Sequence, residues 1–260
     1  MSTTPPNYPE GRDLLKAKTV LVTASAGTGI GFATAKRCVE EGAIVVLSDH
    51  HERRLAEAAE SLGALSEHGV TAIPCDVTKD QEVRRLFASA IDTVGPLDVV
   101  VNNAGLGGTA EVAEMSDAQW EKVMDVTLNG TFRCMRAALQ SMIERKRGVI
   151  VNNASVLGWR AQKGQAHYAA AKAGVMALTR CTALEVAQYN IRINAVAPSL
   201  AIHPHLSKVT SEELLKSLEA KEAFGRAAAP WEIANVIIFL ASDYASYMTG
   251  EVVSVSNQHP

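Results

Sequence analysis

Tyr168 and Lys172 stand four apart in a Tyr-Ala-Ala-Ala-Lys stretch. That spacing puts two side chains on one face of a helix. Ser155 precedes the tyrosine by 13 residues and follows a short apolar run at 149–151. These three residue types suit one kind of reaction. A phenol titrates near ~10 and is a poor base at neutral pH. A nearby ammonium stabilises the phenolate and lowers that value. A serine hydroxyl can hold a substrate oxygen while its charge changes. Together they can move a proton at a carbinol as hydride passes to or from a nicotinamide. A tyrosine and a lysine four apart mean little alone; the combination with Ser155 carries the reading.

A nicotinamide needs a dinucleotide site, and the chain offers one. The β-branched run 19–23 reads as a buried strand and is followed by Ala24-Ser25-Ala26-Gly27-Thr28-Gly29-Ile30-Gly31, which opens a helix. Glycines let a backbone approach a pyrophosphate, and the helix start offers unpaired N–H groups and a positive dipole end. Ser25, Gly27, Thr28, Gly29 and Ile30 are the candidate contacts. Asp49 lies 20 residues after Gly29, at the end of the second strand signal. A carboxylate there suits a ribose diol and repels a 2′-phosphate. Residues 24–30 carry no Lys or Arg to receive such a phosphate, although His50, His51 and Arg53 are close in sequence. The expected cofactor is therefore NAD, with NADP not excluded.

Strand and helix signals alternate along the chain. Strands are expected at 19–23, 44–47, 71–75, 97–101, 149–151, 191–196 and 252–255. Helical periodicity runs from Trp120 to Ile143 as one long helix, and again over 168–188. This order implies an α/β class: a single-domain Rossmann-type doubly wound parallel sheet with helices on both faces. Residues 1–13 hold Pro5, Pro6 and Pro9 and no apolar segment, so they read as a disordered extension and not a signal peptide; 14–260 reads as one dinucleotide-binding and catalytic domain.

Bulk composition narrows the class. The net charge of −3 argues against a sequence-independent grip on nucleic acid. No run of 18 apolar residues is present, so no membrane span is expected. The four cysteines, Cys38, Cys75, Cys134 and Cys181, are widely spaced, which suits free thiols in a cytoplasmic protein and no metal site. His203-Pro204-His205 is better read as a polar loop than as a metal pair.

Ser155, Tyr168-Ala-Ala-Ala-Lys172, Asn102-Asn103-Ala104-Gly105 and Asn194-Ala195-Val196-Ala197-Pro198 resemble the motifs of the short-chain dehydrogenase/reductase family, in that family's order and over most of the chain. The resemblance implies that Tyr168 is the general acid/base, that Lys172 lowers its pKa and binds the nicotinamide ribose, and that Ser155 orients the substrate oxygen. It also implies that Asp76 and Val77 contact the adenine and that Asn103, Ala104, Gly105 and Pro198 line the cofactor cleft. It implies a homo-oligomer, a tetramer, in which the long helix and the Tyr168 helix pair across a two-fold axis. The segments 125–134, 222–227 and 250–256 look similar to actinobacterial members tied to steroid ring degradation. That implies a small-molecule substrate that is hydroxylated and ring-derived or acyl-CoA-linked. The alternatives are a 3-ketoacyl-thioester reductase and a catalytically idle nucleotide-binding sensor.

Three departures from the family pattern bear on the last alternative. Ala24 and Ser25 follow Thr23 where a glycine is usual. Thr127 stands where an asparagine belongs, and Asn129, two positions on, is about 200° away around a helix. Ser199 follows Pro198 in place of a glycine, and the tail Val255-Ser256-Asn257-Gln258 stands where a glycine pair is usual.

Overall fold

The computed structural model describes residues 4–202 and 212–257. Its strands are β1 (Thr19–Thr23), β2 (Ile44–Asp49), β3 (Val70–Pro74), β4 (Val99–Asn102), β5 (Gly148–Asn153), β6 (Ile191–Pro198) and β7 (Val252–Val255). They form one parallel sheet in the order β3-β2-β1-β4-β5-β6-β7. Val22 lies beside Leu47 on one flank and Val101 on the other, which sets the register at the sheet centre. The order reverses direction at β1 and β4, and a crevice opens beyond the C-terminal ends of strands at such a point.

Both faces of the sheet are apolar, as a parallel sheet covered by helices requires. Val20 and Val22 point to one face, where they join Ile233 and Ile237; Leu21 points to the other, with Met135 and Ile150. The helices are α1 (Ile30–Glu40), α2 (Glu52–Gly63), α3 (Asp80–Val94), α4 (Asp117–Met124), α5 (Gly130–Arg145), α6 (Ala166–Val186), α7 (Glu212–Glu219) and α8 (Pro230–Ala241). Each expected strand is present, with ends shifted by a residue or two.

The long helix expected from Trp120 to Ile143 is continuous but not uniform. A π-helical turn, Asp125–Asn129, joins α4 to α5, and the Gly130 N–H reaches back five residues to the Asp125 carbonyl. Apolar periodicity does not reveal such a turn, because one extra residue only rotates the stripe. π turns occur often at functional sites, and this one buries Thr127 completely.

Residues 8–14 lie along α1. Tyr8 Oη donates to Glu40 Oε2 at 2.6 Å and its ring meets Trp231 of α8 edge-on, with centroids 5.4 Å apart. Arg37 donates to the Pro9 carbonyl at 3.0 Å, and the backbone N–H groups of Arg12 and Leu14 both reach Glu41 Oε2. The proline content that suggested a chain without fixed structure is thus accompanied by polar anchors at Tyr8 and on α1.

Candidate active site

The candidate catalytic and cofactor residues lie at the carboxyl ends of the strands or on the loops and helices that follow them. The loop after β1 turns sharply. Ala24 takes a left-handed backbone (φ +49°), and so does Gly27 (φ +93°). Ala24 therefore sits in the conformation where a glycine would be expected. Gly31 in α1 packs hard against this loop. A Cβ there would lie 2.2 Å from the Ala24 carbonyl oxygen and 2.4 Å from Asn103 Nδ2. Gly29, which precedes the first residue of α1, has no side chain to cap the helix, and the first turn of α1 holds no acidic residue. Its first N–H groups are thus left for an external acceptor, which fits a pyrophosphate.

Ser25 is fully buried, and its hydroxyl is spent on β2: it accepts from Ser48 N–H at 3.0 Å and donates to the Ser48 carbonyl at 3.3 Å. It shapes the loop and offers no free hydroxyl to a cofactor. Asp49 ends β2 with its carboxylate accepting from Ala26 N–H (3.3 Å) and His51 N–H (3.0 Å). His50 Nδ1 lies 3.3 Å away. A carboxylate has about four acceptor sites, so capacity for a ribose diol remains. At the end of β3, Asp76 accepts from the Thr78 N–H and hydroxyl at 3.0 and 2.8 Å, and Val77 packs where Gly130 begins α5.

The strand ends at the switch point are laced together. Thr23 Oγ1 accepts from the N–H groups of Asn103 and Ala104 at 3.0 and 3.1 Å. Asn103 Nδ2 donates to the carbonyls of Thr23 and Ala24, and its Oδ1 accepts from Asn153 at 2.9 Å. Behind them, Asn102 donates to Asn152, which donates to Thr179 of α6. Thr23, Asn152 and Asn153 were not singled out from sequence. The available signal was a polar Asn-Asn pair ending an otherwise apolar strand.

The three candidate catalytic residues, Ser155, Tyr168 and Lys172, face this frame. Ser155 caps a short 3₁₀ turn, Val156–Gly158, where it accepts from Leu157 N–H at 3.2 Å, and its hydroxyl acts on the Tyr168 phenol. Burial pushes the phenol above its ordinary value; the Ser155 hydrogen bond pulls the other way and does not win. Lys172 is buried, donates from Nζ to the Asn153 carbonyl, and lies 5.6 Å from the Tyr168 ring centroid. Burial pulls its pKa down to about 8. The expected lowering of the phenol by Lys172 is therefore not what the protein alone shows. The amine is turned to a backbone carbonyl, and desolvation dominates both groups.

Thr127 lies in the same cleft. Its hydroxyl accepts from Leu106 N–H at 3.0 Å and donates to the Leu106 carbonyl at 3.1 Å, which fixes the chain just after Gly105. A Cβ on Gly105 would lie 3.3 Å from Lys172 Nζ, so that chain passes directly over the amine. Asn129 is exposed and bonds only to Asp125 in its own turn. Pro198 ends β6. The next residue, Ser199, gives its N–H to the Val255 carbonyl and its hydroxyl to Glu222. His203 and His205 lie outside the described residues.

Residues 24–257 match a protein-family profile described as enoyl-(acyl carrier protein) reductase. A solved short-chain dehydrogenase from Mycobacterium smegmatis superposes with a TM-score of 0.89 at 53% identity, covering 99% of both chains. The chain belongs to the short-chain dehydrogenase/reductase family. A Mycobacterium tuberculosis relative, (5R,7aS)-5-hydroxy-7a-methyl-1-oxo-2,3,5,6,7,7a-hexahydro-1H-indene-carboxyl-CoA reductase, is 61% identical over 251 residues, 96% of each chain. An actinorhodin polyketide ketoreductase solved with NADPH is similar at 32% identity, with a TM-score of 0.87 and coverage of 93% of this chain and 96% of that one. The profile's description names a double-bond reductase, but several relatives matched over nearly their whole length are named for reactions at a hydroxyl or its ketone, among them a 3-oxoacyl-[acyl-carrier-protein] reductase of Aquifex aeolicus and a cis-4-hydroxycyclohexanecarboxylate dehydrogenase of Sinomonas cyclohexanicum. The protein is an NAD(P)-dependent oxidoreductase that interconverts a secondary alcohol and a ketone. No helix among the described residues is long and apolar enough to cross a membrane.

Proposed function

We propose that this short-chain dehydrogenase/reductase acts on a hydroxyl or ketone borne by a ring-derived, CoA-linked substrate. The observation that carries the chemistry is the juxtaposition of Ser155 with the Tyr168 phenol, one helical turn from the buried Lys172. The cofactor supplies or accepts hydride at the carbinol carbon. The chain's residues handle the oxygen and its proton. With its pKa raised by burial, Tyr168 holds a proton at neutral pH and is poised to donate it to a ketone oxygen. Ser155 donates a second hydrogen bond to that oxygen as negative charge develops. Lys172, held by the Asn153 carbonyl, supplies the positive charge at the base of the cleft and a donor for a ribose hydroxyl. In the oxidation direction the same tyrosine accepts the proton.

The substrate reading rests on the CoA-linked bicyclic ketone named for the 61% identical relative. The sequence segments 125–134, 222–227 and 250–256 point the same way. Asp49, with no Lys or Arg in residues 24–30, supports NAD over NADP. Gly27, Thr28, Gly29 and Ile30 would hold the pyrophosphate, Asp76 and Val77 would contact the adenine, and Asn103 to Gly105 with Pro198 would line the cofactor cleft. A homotetramer is supported by large apolar side chains left in water: Trp120 on α4, Phe132 on α5, Leu184 on α6 and, past α8, Tyr247. The four unpaired thiols, three of them buried, suit the cytoplasm.

Tyr168→Phe tests the assignment. It keeps the ring and removes the only group proposed to exchange the substrate proton. Turnover of the CoA-linked ketone should fall by ~10²–10⁴-fold while NADH binding, read by fluorescence, stays near wild type. Retention of more than a tenth of wild-type kcat/KM overturns it. Faster turnover of a straight-chain 3-ketoacyl thioester than of the ring ketone would instead favour the ketoacyl reductase reading.

A further inference from the structure

The β4–β5 ladder ends at the pair Asn102 and Asn152, while β5 runs on for one more residue beside β6 and pairs Asn153 with Val196. Ala154 N–H turns to β6 and bonds to the Val196 carbonyl at 2.8 Å. In a trans peptide the carbonyl points the opposite way, so the Asn153 carbonyl faces the β4 side. A ladder donor is lacking there, because the chain after β4 bends towards β1. The N–H groups of Asn103 and Ala104 both go to Thr23 Oγ1, at 3.0 and 3.1 Å. The divergence of the strands thus leaves a carbonyl without a backbone donor, and Lys172 Nζ takes the donor's place.

The Asn153 side chain bridges the same gap. Its Nδ2 donates to Asn103 Oδ1 at 2.9 Å, and Asn103 Nδ2 donates in turn to the carbonyls of Thr23 and Ala24 at 3.2 and 3.1 Å. The direction of these bonds is forced. Asn103 spends its amide donors on two backbone carbonyls, so its oxygen accepts and its partner has to donate. Ala24 is the left-handed residue (φ +49°) that turns the loop before α1. Gly31 leaves Asn103 room beside it, since a Cβ there would lie 2.4 Å from Asn103 Nδ2. One residue therefore holds the amine of Lys172 with its main chain and, through Asn103, the cofactor loop with its side chain. Packing alone does not account for an asparagine at this place. Its Oδ1 is buried with no hydrogen-bond partner among the described residues, an orphan that an apolar side chain would avoid.

We propose that Asn153 is a positioning residue that couples the cofactor loop to Lys172. Its carbonyl fixes the amine at the base of the cleft, and its side-chain amide makes the place of that carbonyl depend on Asn103 and the turn at Ala24. Ordering of the loop by a bound dinucleotide is then felt at the amine. The proposal rests on the part given to Lys172 above and adds the residue that places it. Tyr168, one turn back on α6, is the titratable neighbour of the amine; Asn153 meets it from β5 and Gly105 from the chain after β4. Burial is what shifts its charge, and no charged side chain among the described residues adds to that.

Variants of the full-length enzyme test the coupling. Asn153→Leu is close in shape with neither donor nor acceptor, and Asn153→Asp is close in shape with acceptors only. NADH binding is read first, by fluorescence titration without substrate. Each variant should weaken it by about fivefold or more, the worth of one ordinary hydrogen bond. In an Asn103→Leu background the further change Asn153→Leu should alter it by less than about twofold, because the path to the loop is already cut. The second readout is the pH profile of kcat/KM for ketone reduction. Loosening the carbonyl lets Lys172 give up its proton at lower pH, so the alkaline limb of Asn153→Leu should move down by about half a pH unit or more. A carboxylate at position 153 favours the ammonium and should move that limb up. The two variants then agree in sign at the loop and differ in sign at the lysine, which a general loss of packing does not produce. Thermal melts show that each variant is folded, and Asn153→Ser, whose hydroxyl is too short to reach Asn103, replaces a leucine variant that is not. NADH affinity that stays within about twofold of wild type in the folded variants overturns the coupling, as do additive losses in the double variant or limbs that stay in place. If wild type reduces no ketone, the part given to Lys172 fails, while the NADH titrations still decide whether Asn153 holds the cofactor loop.

Discussion

Lys172→Met in the cofactor-free protein removes a buried charge while keeping an unbranched side chain of similar length. Burial pulls the Lys172 pKa from its usual 10.5 down to about 8. A base with a lowered pKa binds its proton more weakly folded than unfolded. Its cost to stability is thus fully present below pH 8, shrinks as pH rises from 8 towards 10.5, and vanishes above. A difference of about 2.5 units, at about 1.36 kcal/mol each, sets that cost near ~3 kcal/mol at pH 7. The bond to the Asn153 carbonyl opposes it. Such a charge-assisted bond contributes about 1.5–3 kcal/mol, and methionine loses it. The two effects nearly cancel in absolute stability at pH 7, so the discriminating quantity is the pH dependence. Between pH 7 and pH 9.5 wild type should gain about 2 kcal/mol relative to Lys172→Met, because over that range the unfolded lysine keeps most of its proton and the folded one releases it. Denaturant unfolding of both proteins at the two pH values, without cofactor, reads this directly. A difference between them that stays flat within about 0.5 kcal/mol would refute the reasoning. It would mean that the Asn153 carbonyl holds the ammonium against its burial.

Thr127→Val should strand the Leu106 N–H in the cleft wall, costing about 1–3 kcal/mol in denaturant unfolding; Thr127→Asn, which can still donate and accept, should keep more of the rate than valine does. Asp49→Ala should raise kcat/KM with NADPH relative to NADH by at least tenfold, and an unchanged ratio measured by steady-state kinetics would remove Asp49 from the cofactor choice.

The parallel sheet was legible because each strand is a short β-branched run facing helices on both sides. Val20, Leu21 and Val22 are all buried, so the apolar signal does not have to alternate. Ser155, Tyr168 and Lys172 were legible because a phenol, an amine and a hydroxyl at those spacings have few other shared uses, and the structure brings them to one cleft. What sequence could not show falls into two kinds. Some features depend on the exact path of the backbone, such as the π turn at Asp125–Asn129 and the left-handed Ala24. Others depend on atoms far apart in the chain, such as Thr23 with Asn103, or Lys172 with the Asn153 carbonyl. Ser25 shows the cost of reading one loop alone: its hydroxyl is already committed to Ser48, 23 residues on.

The departures that made an idle site thinkable look different once the backbone is known. Ala24 occupies a left-handed conformation at about 1–2 kcal/mol of steric cost, so the loop keeps its turn without the glycine. Thr127 uses one hydroxyl as both donor and acceptor on Leu106, which is the pair of bonds a side-chain amide could make with its two ends. Ser199 keeps its backbone bond to Val255 and adds a hydroxyl contact with the buried Glu222. In each case the side chain has changed while the path of the main chain is held by another bond. A loop that binds a pyrophosphate through N–H groups senses the path and not the side chain. Altered letters in the glycine loop and on the long helix therefore weigh little against Ser155, Tyr168 and Lys172, whose proposed roles rest on side-chain atoms that no backbone group replaces.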